Sequence, residues 1–310
     1  MVQESGCGEV PRSLAARSMA RKGQWRNLLG RLLAVAVILG AAGAGKAWHD
    51  TLSDPAVLQT SVAHKGMPPG SRPVRIALLS DIHVAGPDMP PERLVRIVSQ
   101  INALQPDLVL IAGDLVSDKG LATHIYTPAE IVAPLAGLKA PLGVITVPGN
   151  HDHWFDWPGL AAELDRHGIV RLANEARQVG PLVIGGLDDD YTGRADLPAT
   201  LAAMARLRGA RVLLSHGPDP FPDVPNSVPL FLAGHTHCGQ IAYPWGGAPT
   251  TMSDYGNRYA CGRVDEHGKT LVVGAGLGTS VLPLRLFTQP EVWLVTVAPP
   301  GSAAGGADPG

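Results

Sequence analysis

Five times along the chain, a short apolar run rich in β-branched residues stops on a cluster of polar side chains. Val74–Ser80 ends in Asp81-Ile82-His83, Asp107–Ala112 in Gly113-Asp114, and Leu142–Val147 in Pro148-Gly149-Asn150-His151-Asp152. Arg211–Ser215 ends in His216, and Val228–Ala233 ends in Gly234-His235-Thr236-His237. The runs have strand length and no helical period, so each predicts a strand. Residues i and i+2 of a strand share a face, so Asp81-x-His83 and His235-x-His237 can each aim two side chains together. Loops beyond strand ends are where α/β proteins bind ligands.

Helical periodicity fills the gaps between these runs. Pro90-Pro91-Glu92 opens a helix that runs to about Leu104, with Leu94, Ile97, Val98 and Ile101 on its core stripe. Weaker helices are expected over 127–138, 158–167 and 196–208. Strands alternating with helices predict an α/β fold with parallel strand pairs and helices on the sheet faces. After His237 the pattern changes to short strands with turns, at Gln240–Tyr243, Arg258–Val264, Leu271–Val273 and Glu291–Val297. These predict a second sheet packed on the first.

The N-terminal region has a different character. Arg12, Arg17, Arg21, Lys22, Arg26 and Arg31 precede Leu32–Gly45, an apolar run of 14 residues. Counted from Leu28 to Trp48 the stretch is 21 residues, enough to span a bilayer if Arg31 and Lys46 snorkel. The expected organisation is a basic cytoplasmic tail at 1–27, a signal anchor at 28–48, a linker at 49–73, a folded domain at 74–298 and a disordered tail at 299–310. Positive charge on the N-terminal side places the main domain outside the cytoplasm. An uncleaved anchor is preferred; export with cleavage near Ala42-Gly43-Ala44 is the alternative.

Net charge is −2 over 310 residues, but residues 1–50 hold seven Lys/Arg against three Asp/Glu, which leaves −6 on the rest. An acidic body with only 15 aromatic residues argues against nucleic-acid binding, which needs basic surface and stacking platforms. Cys7, Cys238 and Cys261 form no C-x-x-C pair. Cys238 and Cys261 can pair with each other, but three free thiols is the preferred reading, with Cys238 a buried bystander.

The strand ends together deliver Asp81, His83, Asp114, Asn150, His151, His216, His235 and His237. Imidazole mixed with carboxylate and no thiolate suits two divalent ions of Mn, Zn or Fe rather than a structural zinc knot. No P-loop, nucleophile elbow or His-Glu-x-x-His helix offers other hydrolytic chemistry. Asp188-Asp189-Asp190 invites a third-metal reading; a solvated turn is preferred. Asp152 and His153 are expected either to line the substrate mouth or to cap the helix that starts near Trp157.

In order, Asp81-x-His83, Gly113-Asp114, Gly149-Asn150-His151-Asp152, His216 and Gly234-His235-x-His237 resemble the motif set of the calcineurin-like metallophosphoesterases. Gly276–Arg285 further resembles the bacterial branch of membrane-anchored or exported phosphodiesterases. The resemblance implies a four-layer α/β sandwich with two central mixed sheets and a dinuclear site at the strand C-terminal ends. It assigns Asp81, His83 and His237 to one metal, Asn150, His216 and His235 to the other, and Asp114 to both. It further implies hydrolysis of a phosphodiester or phosphomonoester by a metal-bridging hydroxide, with His151 as the catalytic acid or charge stabiliser. In phosphoprotein phosphatases of this family an acidic residue supports that histidine three positions after the bridging Asp. Ser117 stands there in this chain and Asp118 one further on, which leaves a carboxylate partner for His151 open. The anchor favours a cell-envelope or lipid-linked substrate over soluble nucleotides. A non-catalytic metal-binding envelope protein is the remaining alternative.

Overall fold

The computed structural model describes the backbone of residues 13–301 and the side chains of residues 25–301. Of the expected cytoplasmic tail, residues 1–12 lie outside the described residues and 13–27 are helical, and of the expected disordered C-terminus 302–310 lie outside. By contact density the chain divides into Met1–Lys46 and Ala47–Gly310. In the first unit α1 (Ser13–Leu52) runs as a continuous helix, and Leu28, Leu29, Leu32, Leu33, Val37 and Ile38 are all exposed. Trp25–Leu52 is long and apolar enough to cross a membrane.

The second unit takes in the last turn of α1 and continues with β1 (Ala56–Ala63), β2 (Val74–Leu79), α2 (Pro91–Ala103) and β3 (Leu108–Ile111). Next come α3 (Pro128–Val132), β4 (Val144–Thr146), α4 (Asn150–Phe155), α5 (Trp157–Arg166), β5 (Val170–Arg171), β6 (Glu175–Val179) and β7 (Leu182–Gly186). The chain ends with α6 (Leu197–Ala205), β8 (Ala210–Leu214), β9 (Leu230–Ala233), β10 (Gly262–Glu266), β11 (Lys269–Val273) and β12 (Glu291–Ala298). Two six-stranded mixed sheets result, in the orders β1-β12-β2-β3-β4-β5 and β10-β11-β9-β8-β7-β6.

Period-two alternation sorts each strand's side chains between two cores. Ile76, Leu78, Leu108, Leu110 and Ile145 meet Leu182, Ile184, Val212, Leu214, Leu230 and Leu232 between the sheets. Their neighbours Ala77, Leu79, Val109 and Ile111 pack outward on Leu94, Ile97, Ile131, Leu160 and Leu164 of the helices. On the other sheet Val183, Leu213, Phe231, Leu271 and Val273 pack outward on Met204, Phe221 and Tyr259. Both faces of the central strands are therefore buried, which is why those strands read as unbroken apolar runs. This is the expected four-layer α/β sandwich.

Several local expectations change. Residues 49–73, read as linker, contain β1, which pairs in parallel with β12 from Ala56↔Glu291 to Ala63↔Ala298. Its pattern of half-buried positions alternating with exposed ones hid it at a sheet edge. Gln240–Tyr243 is not a strand; only Ile241 makes an isolated bridge, to Leu286. The strand expected at Arg258–Val264 begins later, at Gly262, after a single 3-10 turn at Gly256–Tyr259. The expected helix at 127–138 is α3 followed by a 3-10 turn, Ala133–Gly137, with Pro134 at its start.

Candidate metal centre

Each candidate ligand lies two to four residues past the end of its strand, Asp81 and His83 beyond β2, Asp114 beyond β3 and Asn150 beyond β4. His216 follows β8, and His235 and His237 follow β9. The C-terminal ends of parallel strands from both sheets thus face one space. Asp81, His83, Asp114, His235 and His237 all adopt left-handed backbone conformations, with φ of 48°, 49°, 53°, 69° and 51°. Such φ values are uncommon in residues other than glycine and cluster at functional sites, where surrounding structure enforces them. Two glycines permit the close approach. A Cβ at Gly149 would collide with Asp114 Oδ1, and one at Gly234 would collide with Ser80 and Asp81.

The ligating atoms form two groups that share Asp114. His83 Nε2 lies 3.1 Å from His237 Nε2, and His237 Nε2 lies 3.4 Å from Asp81 Oδ1. His216 Nε2 lies 3.0 Å from both Asn150 Oδ1 and His235 Nδ1. Asp114 Oδ2 stands between, 3.5 Å from His83 Nε2 and 3.3 Å from His216 Nε2. The structure therefore brings together all seven residues that the resemblance names as ligands.

The outward nitrogens show what the inward ones can do. His83 Nδ1 donates to Val116 O (3.0 Å), His216 Nδ1 to Ala112 O (2.7 Å) and His235 Nε2 to Met252 O (3.1 Å). With those protons committed to carbonyls, each ring presents a lone pair inward whenever it is neutral, the usual tautomer of a metal-ligating imidazole. His237 differs, because its Nδ1 faces Arg285 Nη2 at 3.4 Å. Burial lowers the pKa values of His83 and His237 well below the ordinary range, and burial beside His216 lowers His235 to about 3. Burial also opposes charge on His216, yet Asp114 and Asp81 raise it to about 10. Burial pushes Asp114 upward, but the facing His216 and His83 hold it well below the usual carboxylate range. The carboxylates of Asp114 and Asp81, with the imidazole lone pairs of His83 and His235 beside them, make an environment that draws positive charge, which is why His216 is raised. This donor set fits a pair of divalent cations.

His151 stands apart from the seven. Its Nδ1 pairs with the Asp118 carboxylate, and its Nε2 is 3.4 Å from Ser280 Oγ. The missing carboxylate partner is thus Asp118, one residue beyond the expected spacing. The backbone N–H of His151 donates to Asp114 Oδ1 at 2.9 Å, which ties the ring's position to the shared carboxylate. His83, Asp114 and His151 also form a group whose donor atoms lie within 4.8 Å of one another.

Other expectations resolve differently. Asp152 is fully buried and accepts from the N–H groups of Gly149 (2.9 Å), Leu115 (2.8 Å) and Val116 (3.3 Å). It clamps two ligand loops together instead of lining the mouth. His153 Nε2 pairs with Asp188 Oδ1 at 2.7 Å. Asp189 is buried rather than solvated and accepts from Thr192 N at 2.7 Å, holding the Asp188–Asp190 turn. The groups able to hold a metal among the described residues do not include that turn. Cys7 lies outside the described residues, while Cys238 and Cys261 form a disulfide, which overturns the free-thiol reading for those two. Their Cα atoms are 4.8 Å apart because the chain returns from the loop after His237 to the start of β10, a pairing no local pattern announces.

A cavity of about 570 Å³ opens over the cluster, with Asp114, Asn150, His151, His235 and His237 on its floor. Trp154, Tyr191, Ile241, Met252, Val281 and Leu282 give it a largely apolar wall. Lys119 Nζ, fully buried, donates to Asp88 Oδ1 (2.5 Å) and Thr279 Oγ1 (3.0 Å), pinning the segment that carries Ser280–Leu282. Buried Arg285 donates through Nη2 to the carbonyls of Ala275, Gly276 and Gly278 at 2.7, 3.1 and 2.6 Å. Sequence reasoning passed over Lys119, which lies in no motif, and gave Arg285 no role although it closes the Gly276–Arg285 stretch.

Residues 74–239 match the family model described as calcineurin-like phosphoesterase. The chain belongs to the calcineurin-like phosphoesterase family. It is 31% identical over 85% of its length to a metallophosphoesterase of Caenorhabditis elegans, and spans 56% of that protein. It is 29% identical to the Bacillus subtilis metallophosphoesterase YkuE, over 91% of this chain and 98% of that one. A Danio rerio protein described as a transmembrane protein with metallophosphoesterase domain is 30% identical over 91% of this chain, which spans 65% of it. The chain thus covers little more than half of the nematode relative and about two thirds of the zebrafish one.

Proposed function

We propose that this calcineurin-like phosphoesterase is a membrane-anchored enzyme that hydrolyses a phosphodiester or phosphomonoester carried on a lipid or another cell-envelope molecule. The observation that carries the reading is the convergence of seven donor residues on a shared Asp114, with the His151–Asp118 pair beside them under an apolar-walled cavity. Asp81, His83 and His237 would hold one divalent cation, Asn150, His216 and His235 a second, with Asp114 serving both. When bound, such a pair supplies a nucleophile from water and neutralises charge on the phosphoryl oxygens. Asp118 accepts a hydrogen bond from His151 Nδ1 and fixes the orientation of the ring. Nε2 then faces the cavity, where it can give a proton to the leaving oxygen. Asp152 keeps the loops of Asp114 and Asn150 in register, so that ligands and acid stay fixed relative to each other.

The apolar wall supports a substrate with an apolar moiety next to its phosphate. The Cys238–Cys261 disulfide supports an extracytoplasmic catalytic domain, because such bonds persist mainly in oxidising compartments. That agrees with the orientation argued from the N-terminal charges, for an anchored or an exported, cleaved chain. A second reading, soluble nucleotides as substrate, draws on Trp154 and Tyr191, a ring pair at the cavity wall with centroids 6.1 Å apart that offers stacking surface.

The test is to load purified protein with Mn, Zn or Fe, measure metal content, and compare kcat/KM for a chromogenic phosphodiester, nucleotides and extracted envelope phospholipids. The reading expects bound metal, turnover of the chromogenic ester and preference for the lipid. Preference for nucleotides selects the second reading, and metal binding without any turnover leaves a non-catalytic envelope protein.

A further inference from the structure

The cavity mouth is linked to the end of the membrane-crossing stretch by an unbroken series of hydrogen bonds. In the last turn of α1, Thr51 Oγ1 accepts from Arg285 N at 2.6 Å and Asp50 Oδ2 from Phe287 N at 3.3 Å. The segment 284–288 then pairs with the loop after His237, Ala242 N donating to Leu286 O (2.9 Å) and Leu286 N to Gln240 O (3.1 Å). The Gln240 side chain adds bonds to the carbonyls of Leu282 and Leu284 at 2.8 and 3.0 Å. Beyond Ala242 the chain makes a tight turn, Tyr243 N donating to Gly247 O at 2.9 Å, with Trp245 near its tip.

This linked rim is apolar and exposed. Trp245 is 80% exposed and Val281 71%, with Tyr243, Leu282 and Phe287 exposed beside them in the sequence. The Tyr243 and Trp245 rings stack nearly parallel with centroids 5.3 Å apart. A group of exposed large apolar side chains marks an interaction surface. Its occupant follows from where the rim is fastened. The spanning stretch of α1, counted from Leu28, ends at Trp48, and at about 1.5 Å per helical residue Asp50 and Thr51 stand within about 5 Å of that end along the axis. The headgroup layer of a bilayer is about 5–7 Å deep on each side, so segments bonded to Asp50 and Thr51 lie at its level. Trp and Tyr favour that layer.

We propose that the paired segments Ile241–Gly247 and Val281–Phe287 form an interfacial docking surface that seats the cavity mouth on the bilayer that α1 crosses. Val281 and Leu282 line the cavity as well as the rim, so a lipid phosphate can reach His151 and Asp114 while its acyl chains stay in the membrane. The docking surface stands on the rim and its attachment; only the access of lipid rests on the proposed function.

The experiment uses the full chain reconstituted in phosphatidylcholine vesicles whose acyl chains are brominated close to the headgroup. Emission of Trp245 is isolated as the difference between wild type and Trp245→Phe. Quenching of that component by brominated lipid is expected; an unquenched Trp245 overturns the docking surface whatever the enzyme hydrolyses. The double variant Trp245→Asp/Phe287→Asp should turn over a water-soluble chromogenic phosphodiester within about twofold of wild type, while hydrolysis of a phospholipid in the vesicles falls about tenfold. Equal vesicle hydrolysis by the double variant also overturns the proposal. Should the double variant fail to fold, the quenching comparison still decides. Quenching in a wild type that cleaves the soluble ester but no lipid sustains the docking surface and sinks the lipid-substrate reading alone.

Discussion

The donor cluster and the cavity wall above it are built on opposite principles. Every candidate ligand sits two to four residues past a strand of the buried sandwich, and five of the seven are held in left-handed conformations. Apart from Trp154 of α4 and Tyr191, the wall comes from 239–252 and 280–282, segments with little regular structure. The Cys238–Cys261 bond, the Lys119–Asp88–Thr279 contacts and the carbonyl cradle of Arg285 hold it instead. The frame positions chemistry, and the stapled loops present a surface for selecting substrate. Damage to the first should abolish turnover, and damage to the second should change stability and KM while leaving the donors in place.

The sharpest break is at Asp114, which stands between the two donor groups. Asp114→Ala should reduce turnover to background and lower bound metal from two equivalents towards one or none, read by elemental analysis beside an assay. Two full equivalents in that variant would sink its shared role.

His151 tests whether chemistry can be lost with the donors intact. His151→Ala should keep near-normal metal and lose on the order of 10²–10⁴-fold in turnover of an ester with a poor alkoxide leaving group. With nitrophenolate, which needs little protonation, the loss should be distinctly smaller. Asp118→Asn should fall between wild type and His151→Ala, with the same dependence on leaving group. A similar loss on both esters would make His151 a stabiliser of phosphoryl charge, and loss of metal would make it a ligand.

The wall should respond differently. Lys119→Met leaves Asp88 buried without its cation, so denaturant titration should show a loss of about 3–5 kcal/mol. Protein that remains folded should bind metal normally and show a raised KM. A drop in metal content with unchanged KM would mean that Lys119 serves the frame instead.

The smallest effect is expected at the disulfide. Cys261→Ser should lower stability by about 2–4 kcal/mol, seen as a reduced Tm, because a 23-residue separation is no longer bridged. Some loosening of His235 should follow, since its Nε2–H is held by Met252 O inside that loop. An unchanged Tm would show that the wall does not depend on the bridge.

The same contrast governs what could be read in advance. Unbroken apolar runs arise because both faces of the central strands are covered, and that burial acts residue by residue, so Ile76, Leu110 and Phe231 declared themselves in the linear pattern. Polar clusters at run ends declared the site by the same local logic. Edge strand β1 escaped because only one edge pairs and three of its eight residues are exposed, leaving a mixed pattern between turn residues. The separation Asp114 to Asp118 looked one residue too long as spacing, yet the loop's path brings that carboxylate to His151.

The sequence by itself determined the five strands that end on the candidate ligands, the order of their polar ends and the donor types, since periodicity and side-chain chemistry are properties of consecutive residues. Tertiary structure alone decided that Asp114 lies between the two donor groups, that Asp118 supports His151, and that Cys238 meets Cys261. It also decided that loops 241–247 and 281–287 are bonded to the end of α1. Those are encounters between residues tens to hundreds of positions apart. Their energies depend on distance and burial in the folded chain, and no local pattern carries either.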